Sequence, residues 1–355
     1  MSLKNYRKSN DEVCLQDLSE RYCGDESLIH YACKNNHLKA LRELIDSGTD
    51  LNVFDDNKLS PLHRMAMEGN IEIGKLLIEN GAEIDIKDGK WGSSPLLFAA
   101  QAGKTKFVEL LLDLGANLNF KSGNGKTALH FASAEGRIDI VKLLLHHGID
   151  INAKTQTGNN CLHYAVVNNR LAITKLLISN GVDINTKGAD GQTALHHASF
   201  EGNIEIMKLL IENGANVNLL DKDKDTPLHM VIHGSKNYNL DAIRLLIHHG
   251  ADFRLENAEG QSILQLCQDD SDGKDILDVI WKKSFNDLKE LKPIKFTLEN
   301  CVICDIPRNE IFALDPCGHA KVCEFCCIRL LSFEICDSVC PICRSEIISY
   351  KKIYV

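Results

Sequence analysis

No apolar run in this sequence approaches the 18 or so residues that a helix needs to cross a membrane, so a transmembrane helix is excluded. The opening residues, MSLKNYRKSNDEVC, lack the apolar stretch of a secretory signal, and an intracellular location, cytoplasmic or nuclear, is expected. Positive charge is also scarce. Lys and Arg number 40 against 49 Asp and Glu, and the deficit lies before Lys282, where 29 basic residues face 39 acidic ones; from Lys282 onward the balance is 11 to 10. Neither part has the basic surplus that a phosphate backbone demands, so nucleic acid is excluded as the main partner. With only 7 prolines, 44 % hydrophobic and 25 % charged residues, the chain has the composition of a folded protein and not of a disordered one.

Cysteine is the exception to this evenness. Nine of the 14 cysteines fall between Cys301 and Cys343, and the other five are scattered through the preceding 300 residues. Without an export signal the thiols should stay reduced, so this density indicates a metal site and not a disulfide framework.

Self-similarity organises the rest. SLIH ends at His30, SPLH at His63, SPLL at Leu97, TALH at His130, NCLH at His163, TALH at His196, TPLH at His229 and SILQ at Gln265, at intervals of 33, 34, 33, 33, 33, 33 and 36 residues. A second block recurs with them, as in KLLIENGAEID from Lys75, KLLLHHGIDIN from Lys142 and KLLIENGANVN from Lys208. Each unit reads as two helices: Ser or Thr caps the first, Pro suits its first turn, Leu pairs give the second an apolar stripe, and a glycine such as Gly81 or Gly214 ends it. One unit cannot bury that stripe alone, and stacking supplies a continuous core. The period and the Thr-Pro-Leu-His-like core resemble the ankyrin repeat. About seven repeats are expected over 26–281, with a degenerate closing unit, after a lead-in of 1–25; three extra residues around Gly234 to Asn239 should lengthen the turn inside the seventh.

The array carries no catalytic constellation. Its recurrent motif histidines are expected to bond backbone across the repeat, and Cys33, Cys161 and Cys267 to pack as small apolar side chains. The resemblance implies protein binding through hairpin tips and the exposed side of the first helices, where Lys90, Trp91, Asn124, Gln156, Asp190, Gln192 and Phe200 are the substrate-contact candidates. Trp91, in the glycine-flanked turn DGKWGSS, either anchors a partner or folds back on its own repeat.

After a linker of 282–300, the segment 301–355 holds the series Cys301-x2-Cys304-x12-Cys317-x-His319-x3-Cys323-x2-Cys326-x13-Cys340-x2-Cys343. Eight ligands make two closed tetrahedral zinc sites, each with four protein ligands and no open position to activate water. The order of three Cys, one His and four Cys resembles the RING finger and differs from the PHD finger. That resemblance implies alternating pairs: Cys301, Cys304, Cys323 and Cys326 on one of the two structural zinc ions, Cys317, His319, Cys340 and Cys343 on the other. Cys327 and Cys336 stay unligated.

The same resemblance implies a ubiquitin ligase. Ile303, Leu330, Pro341 and Ile342 would line the docking groove for a ubiquitin-conjugating enzyme, although Leu330 and Ile342 also suit a very small core. Arg344 would reach both that enzyme and its attached ubiquitin, its planar fork of donors suiting two sets of carbonyls, or it is a solvated side chain. The closing RSEIISYKKIYV resembles the tails of RINGs in inhibitor-of-apoptosis proteins, which pair as homodimers and press a near-terminal aromatic, here Tyr354, onto ubiquitin. Its strand-favouring residues either find a second RING or fold back on their own. The expected fold is mostly α, an ankyrin-repeat solenoid followed by a small zinc-stabilised α+β RING. The alternative function is a scaffold or inhibitor whose zinc module only binds protein.

Overall fold

The computed structural model describes residues 13–16, 27–234, 239–266, 311–315, 319–323 and 349–353. The chain divides into two units, Met1–Gly234 and Ser235–Val355.

Helix pairs build the first unit. They run α1 (Leu28–Lys34) and α2 (Leu38–Asp46), α3 (Pro61–Glu68) and α4 (Ile71–Glu79), α5 (Pro95–Ala102) and α6 (Thr105–Asp113), α7 (Ala128–Glu135) and α8 (Ile138–His146), α9 (Cys161–Val167) and α10 (Leu171–Ser179), α11 (Ala194–Phe200) and α12 (Ile204–Glu212), then α13 (Pro227–Gly234). Between pairs the chain runs out into hairpin fingers. This is the solenoid that the 33-residue period predicts. The second unit holds α14 (Leu240–His248) and α15 (Ile263–Leu266); residues 235–238, where the extra residues of the seventh turn fall, lie outside the described residues.

The motif histidine does two jobs in one geometry. In α3 the Ser60 hydroxyl lies 2.8 Å from His63 Nδ1, the Ser60 backbone N–H donates to the same nitrogen at 3.1 Å, and Nε2 meets the Ser93 carbonyl of the next finger at 3.0 Å. Thr127 with His130, Asn160 with His163 and Thr193 with His196 repeat the arrangement, reaching Asn159, Gln192 and Asp225 respectively. A nitrogen that accepts from a backbone N–H must be bare, so beside Ser60, Thr127 and Thr193, whose hydroxyls can also donate to it, these contacts fix the neutral Nε2–H tautomer, and Nε2 then donates to the carbonyl; at His163 the Nδ1 faces the Asn160 amide oxygen at 2.7 Å. Each histidine thus caps its own helix and straps it to the following repeat. A second strap runs through the helix-ending turns, where Asn119, Asn152 and Asn185 accept from the backbone N–H of Asp150, Asp183 and Asn216.

Core packing explains the exceptions to the pattern. Gly74 sits mid-helix in α4 at a cost in propensity, because a Cβ there would lie 2.4 Å from a ring carbon of the fully buried Phe107. Leu97 stands where the other repeats carry histidine, and the Ser94 hydroxyl beside it is buried without a hydrogen-bond partner. Ser133 and Ser199 are likewise buried with unbonded hydroxyls, where the equivalent positions of the second and third repeats hold Ala66 and Ala100. Removing an unsatisfied buried hydroxyl recovers its desolvation cost, so Ser133→Ala and Ser199→Ala should each stabilise the array by about 1 kcal/mol, read as a rise in the midpoint of urea unfolding.

The second unit also contains a three-stranded antiparallel sheet, with β1 (Ile311–Asp315) between β2 (His319–Cys323) and β3 (Ser349–Ile353). β2 pairs with β1 from Ile311 opposite Cys323 to Leu314 opposite His319, with a register shift between Phe312 and Ala313. β3 pairs along its whole length, Ile311 opposite Ile353 and Asp315 opposite Ser349. The tail's strand therefore finds its main-chain partner inside the chain. Of the two outcomes open to the tail, this is the fold back onto its own chain; a homodimer rests on the resemblance alone.

Candidate functional site: the finger and first-helix face

The fingers are cross-linked by main chain. The Gly89 N–H donates to the Lys58 carbonyl, Gly123 to Trp91 at 2.7 Å, Gln156 to Asn124 at 3.0 Å and Lys222 to Asp190 at 2.8 Å. Side chains that grip backbone at each finger are thereby held at one repeat's spacing from their counterparts.

Among the described residues Trp91 is the most exposed of the large apolar side chains, at 67 %. The buried Asp88 carboxylate explains why: it accepts from the N–H groups of Lys90, Trp91 and Ser93, pinning a turn that points the indole away from its own repeat. Lys90 is exposed beside it. Phe200, 41 % exposed, closes α11. The other candidates serve the array itself. Asn124 accepts from Ser122 Oγ at 2.6 Å, Gln156 Nε2 donates to the Gly123 carbonyl at 2.7 Å, Gln192 Nε2 donates to Asp221 and its carbonyl receives the His163 strap, and Asp190 pairs with Lys222 at 3.2 Å. The polar groups of Gln156, Gln192 and Asp190 hold neighbouring fingers together, and that of Asn124 braces its own.

Two rows escaped the sequence reading, and both were written in the period. The residue after the motif position in repeats three to six gives Phe98, Phe131, Tyr164 and His197, half-buried on successive first helices. Three of them pack edge-on against the previous repeat's histidine, Phe98 on His63 (5.2 Å), Tyr164 on His130 (5.5 Å) and His197 on His163 (5.9 Å); before Phe131 that position is Leu97. Val167, 52 % exposed, and Phe200 occupy the end of the same helices. The second row is Lys87, Lys121, Lys154 and Lys187, all exposed, each on the first arm of its finger. Lys126 joins the rows: its ammonium lies 4.7 Å from the Tyr164 ring centroid and 5.5 Å from that of Phe131.

Nothing here is nucleophilic. Burial pushes the Cys33 and Cys161 thiols up to about 12, and burial holds His130, His163 and His196 down to about 4, against partial compensation from the carbonyls they bond. Among the described residues no three His, Cys, Asp or Glu converge to hold a metal, and no helix is long and apolar enough to cross a membrane. Of the predicted zinc ligands, His319 opens β2 and Cys323 closes it. Cys301, Cys304, Cys317, Cys326, Cys340 and Cys343 lie outside the described residues, as do Ile303, Leu330, Pro341, Ile342, Arg344 and Tyr354.

Comparison with known proteins bears on the array. A family profile described as ankyrin repeats (3 copies) matches residues 6–88, 86–155 and 152–221, and one described as ankyrin repeats (many copies) matches 198–247. Relatives include the B-cell lymphoma 3 protein homolog of Mus musculus, 39 % identical over 30 % of this chain and 24 % of its own, and ankyrin repeat and SOCS box protein 16 of Homo sapiens, 33 % identical over 30 % and 24 %. BRCA1-associated RING domain protein 1 of Caenorhabditis elegans is 31 % identical over 29 % of this chain and 14 % of its own. The chain thus matches a quarter or less of the length of these relatives. Among solved structures, the ankyrin repeat domain of Bcl-3 superposes with a TM-score of 0.54 at 28 % identity, covering 62 % of this chain and 99 % of that one; the human ASB11 ankyrin repeat domain gives 0.54 at 29 %, with 62 % and 98 % covered. Helix pairs, histidine straps and matched profiles agree: this chain belongs to the ankyrin-repeat family.

Proposed function

We propose that the chain is a RING-type ubiquitin-protein ligase, in which the ankyrin array recruits a substrate protein and the C-terminal module binds a charged ubiquitin-conjugating enzyme. The carrying observation is the eight-ligand series from Cys301 to Cys343, spaced for two closed zinc sites. The sheet supports the alternating assignment. Extended main chain holds the ends of β2, His319 and Cys323, roughly 10–13 Å apart. Donors on one tetrahedral ion lie within about 4 Å of each other, which favours placing these two residues on different ions. One relative is also, by name, a RING domain protein.

Zinc would fold the module and leave the transfer to the docked enzyme. Ubiquitin passes from that enzyme's cysteine directly to a substrate lysine, so this chain needs no nucleophile; its contribution is to hold the thioester in a reactive pose. Ile303, Leu330, Pro341 and Ile342 form the docking groove, and Arg344 bridges enzyme and ubiquitin, with Tyr354 as a further ubiquitin contact.

In a reconstituted assay, Ile303→Ala and Pro341→Ala should abolish ubiquitin chain formation while both zinc ions stay bound. Arg344→Ala should leave binding of the free conjugating enzyme intact and slow ubiquitin discharge at least tenfold, about 1.4 kcal/mol. Variants that discharge ubiquitin at the wild-type rate would leave the scaffold reading standing.

A further inference from the structure

We propose that the finger and first-helix face of repeats three to six takes an extended acidic polypeptide segment carrying an apolar anchor residue, its carboxylates lying on the lysine row and its anchor on the aromatic row. This names the class of substrate segment and rests on the reading of the array as the recruiting arm of a ligase.

Charge segregation is the first argument. The array as a whole is acidic, yet its four fingers at 86–92, 120–126, 153–159 and 186–192 hold six lysines, Lys87, Lys90, Lys121, Lys126, Lys154 and Lys187, and two aspartates. Both aspartates are spoken for: Asp88 is buried under three backbone N–H groups and Asp190 is paired with Lys222. Lys121 and Lys154 have no ion-pair or hydrogen-bond partner among the described residues. A positive strip is therefore left unneutralised on a negative body, and it attracts carboxylates.

Shape and composition narrow the occupant. Beside the strip runs the row Phe98, Phe131 and Tyr164, with Val167 and Phe200 exposed at the helix ends, and Lys126 stacked on two of the rings where the rows meet. Glu135 ends α7 and Glu201 caps α11, both exposed. A chain of phosphates broad enough to cover both rows would meet those carboxylates, whereas a single polypeptide strand fits between them and the lysines. Stacked helices recur at roughly 8–10 Å, and a polyproline-II chain rises about 3.1 Å per residue with three residues per turn, so one repeat matches three residues and every third side chain returns to the same face. The segment that fits carries Asp or Glu at every third position, with one Leu, Ile or aromatic residue turned toward Val167 and Phe200.

The test uses the full-length chain and fluorescently labelled synthetic peptides with glutamate at every third position and a single leucine moved through the intervening positions. Anisotropy should show binding for at least one leucine placement, weakening as salt is raised, and at least tenfold weaker binding when glutamates become glutamines. Lys121→Glu with Lys154→Glu should weaken that binding at least tenfold with an unchanged helical spectrum, and Val167→Asp should weaken it separately. Equal binding of glutamate and glutamine peptides, insensitivity to the charge reversal, or tighter binding of a single-stranded oligonucleotide of matched length each overturns the proposal. Chain formation by the wild-type protein without any peptide tests the ligase reading by itself, so the two fail independently.

Discussion

Stripping zinc from the chain, or replacing Cys301 with Ser, is expected to reduce ubiquitin chain formation to background while the helical circular dichroism stays nearly intact. The module after residue 300 is short, and closed thiolate sites supply on the order of 10–16 kcal/mol to the folding of such modules, more than a core of that size can. The described repeats bring no metal-holding cluster together. Their cores are Leu, Ile, Val and Ala on paired helices, with Phe107 and Met65 filling the gaps, and the straps between them are histidine and asparagine hydrogen bonds. Metal analysis should return two zinc ions per wild-type chain; a value of one or none, or loss of the helical signal together with the metal, would contradict the assignment.

Acid should unfold the array well before its carboxylates are all protonated. His130, His163 and His196 titrate near the ordinary histidine value of 6.5 when the chain is unfolded and at about 4 when it is folded. Between those values the unfolded chain binds more protons than the folded one, so stability is full above pH 6.5 and is lost as the pH falls toward 4. Each of the three contributes on the order of 3 kcal/mol over that window, together comparable with the whole stability of a domain. The structural reason is burial, which disfavours the charged ring, and protonation would also set an Nδ1–H against the backbone N–H of Thr127 or Thr193. Urea unfolding followed by circular dichroism from pH 7 to pH 4 should show the midpoint falling steeply. His163→Gln should lower stability at pH 7 and flatten the slope by about one proton. A midpoint that stays level between pH 6.5 and pH 4.5 would exclude this account.

Much of the array could be read from sequence because a repeat states its packing rule many times over. Ser or Thr three residues before His, at a strict period, encodes cap, strap and core at once, and the helix pairs follow. The binding face was less legible, and for a physical reason. Gln156 and Asn124 look free in a glycine-rich turn, but the neighbouring finger offers Gln156 a carbonyl and its own finger offers Asn124 a hydroxyl, and a polar tip side chain bonds to what is nearest. Trp91 could have turned inward; the decision lay with Asp88, whose three backbone bonds fix the turn and could not be inferred from composition. The lysine and aromatic rows were in plain sight at one offset from the motif, but their proximity depends on how far Lys126 reaches across a repeat boundary, which only coordinates reveal. The tail's strand was visible in its β-branched and aromatic residues, whereas its partner, β1, is a pairing that no local pattern specifies.

The substitution at Leu97 gives the solenoid a seam. Every other described joint from the first repeat to the seventh is tied by a motif histidine, from His30 reaching Leu59 to His196 reaching Asp225; between the third and fourth repeats that tie is missing, and Asn119, the Trp91 carbonyl and the Arg137 bond to the Gln101 carbonyl bear the joint without it. Pulled from its ends, or half-melted, the array should part there first, into a piece closing at Asp113 and a piece opening at Ala128. The lysine row crosses that line, from Lys87 on one side to Lys121 and Lys154 on the other. A segment lying along the row would act as a splint across the fracture, so cargo would stiffen its carrier where it is weakest.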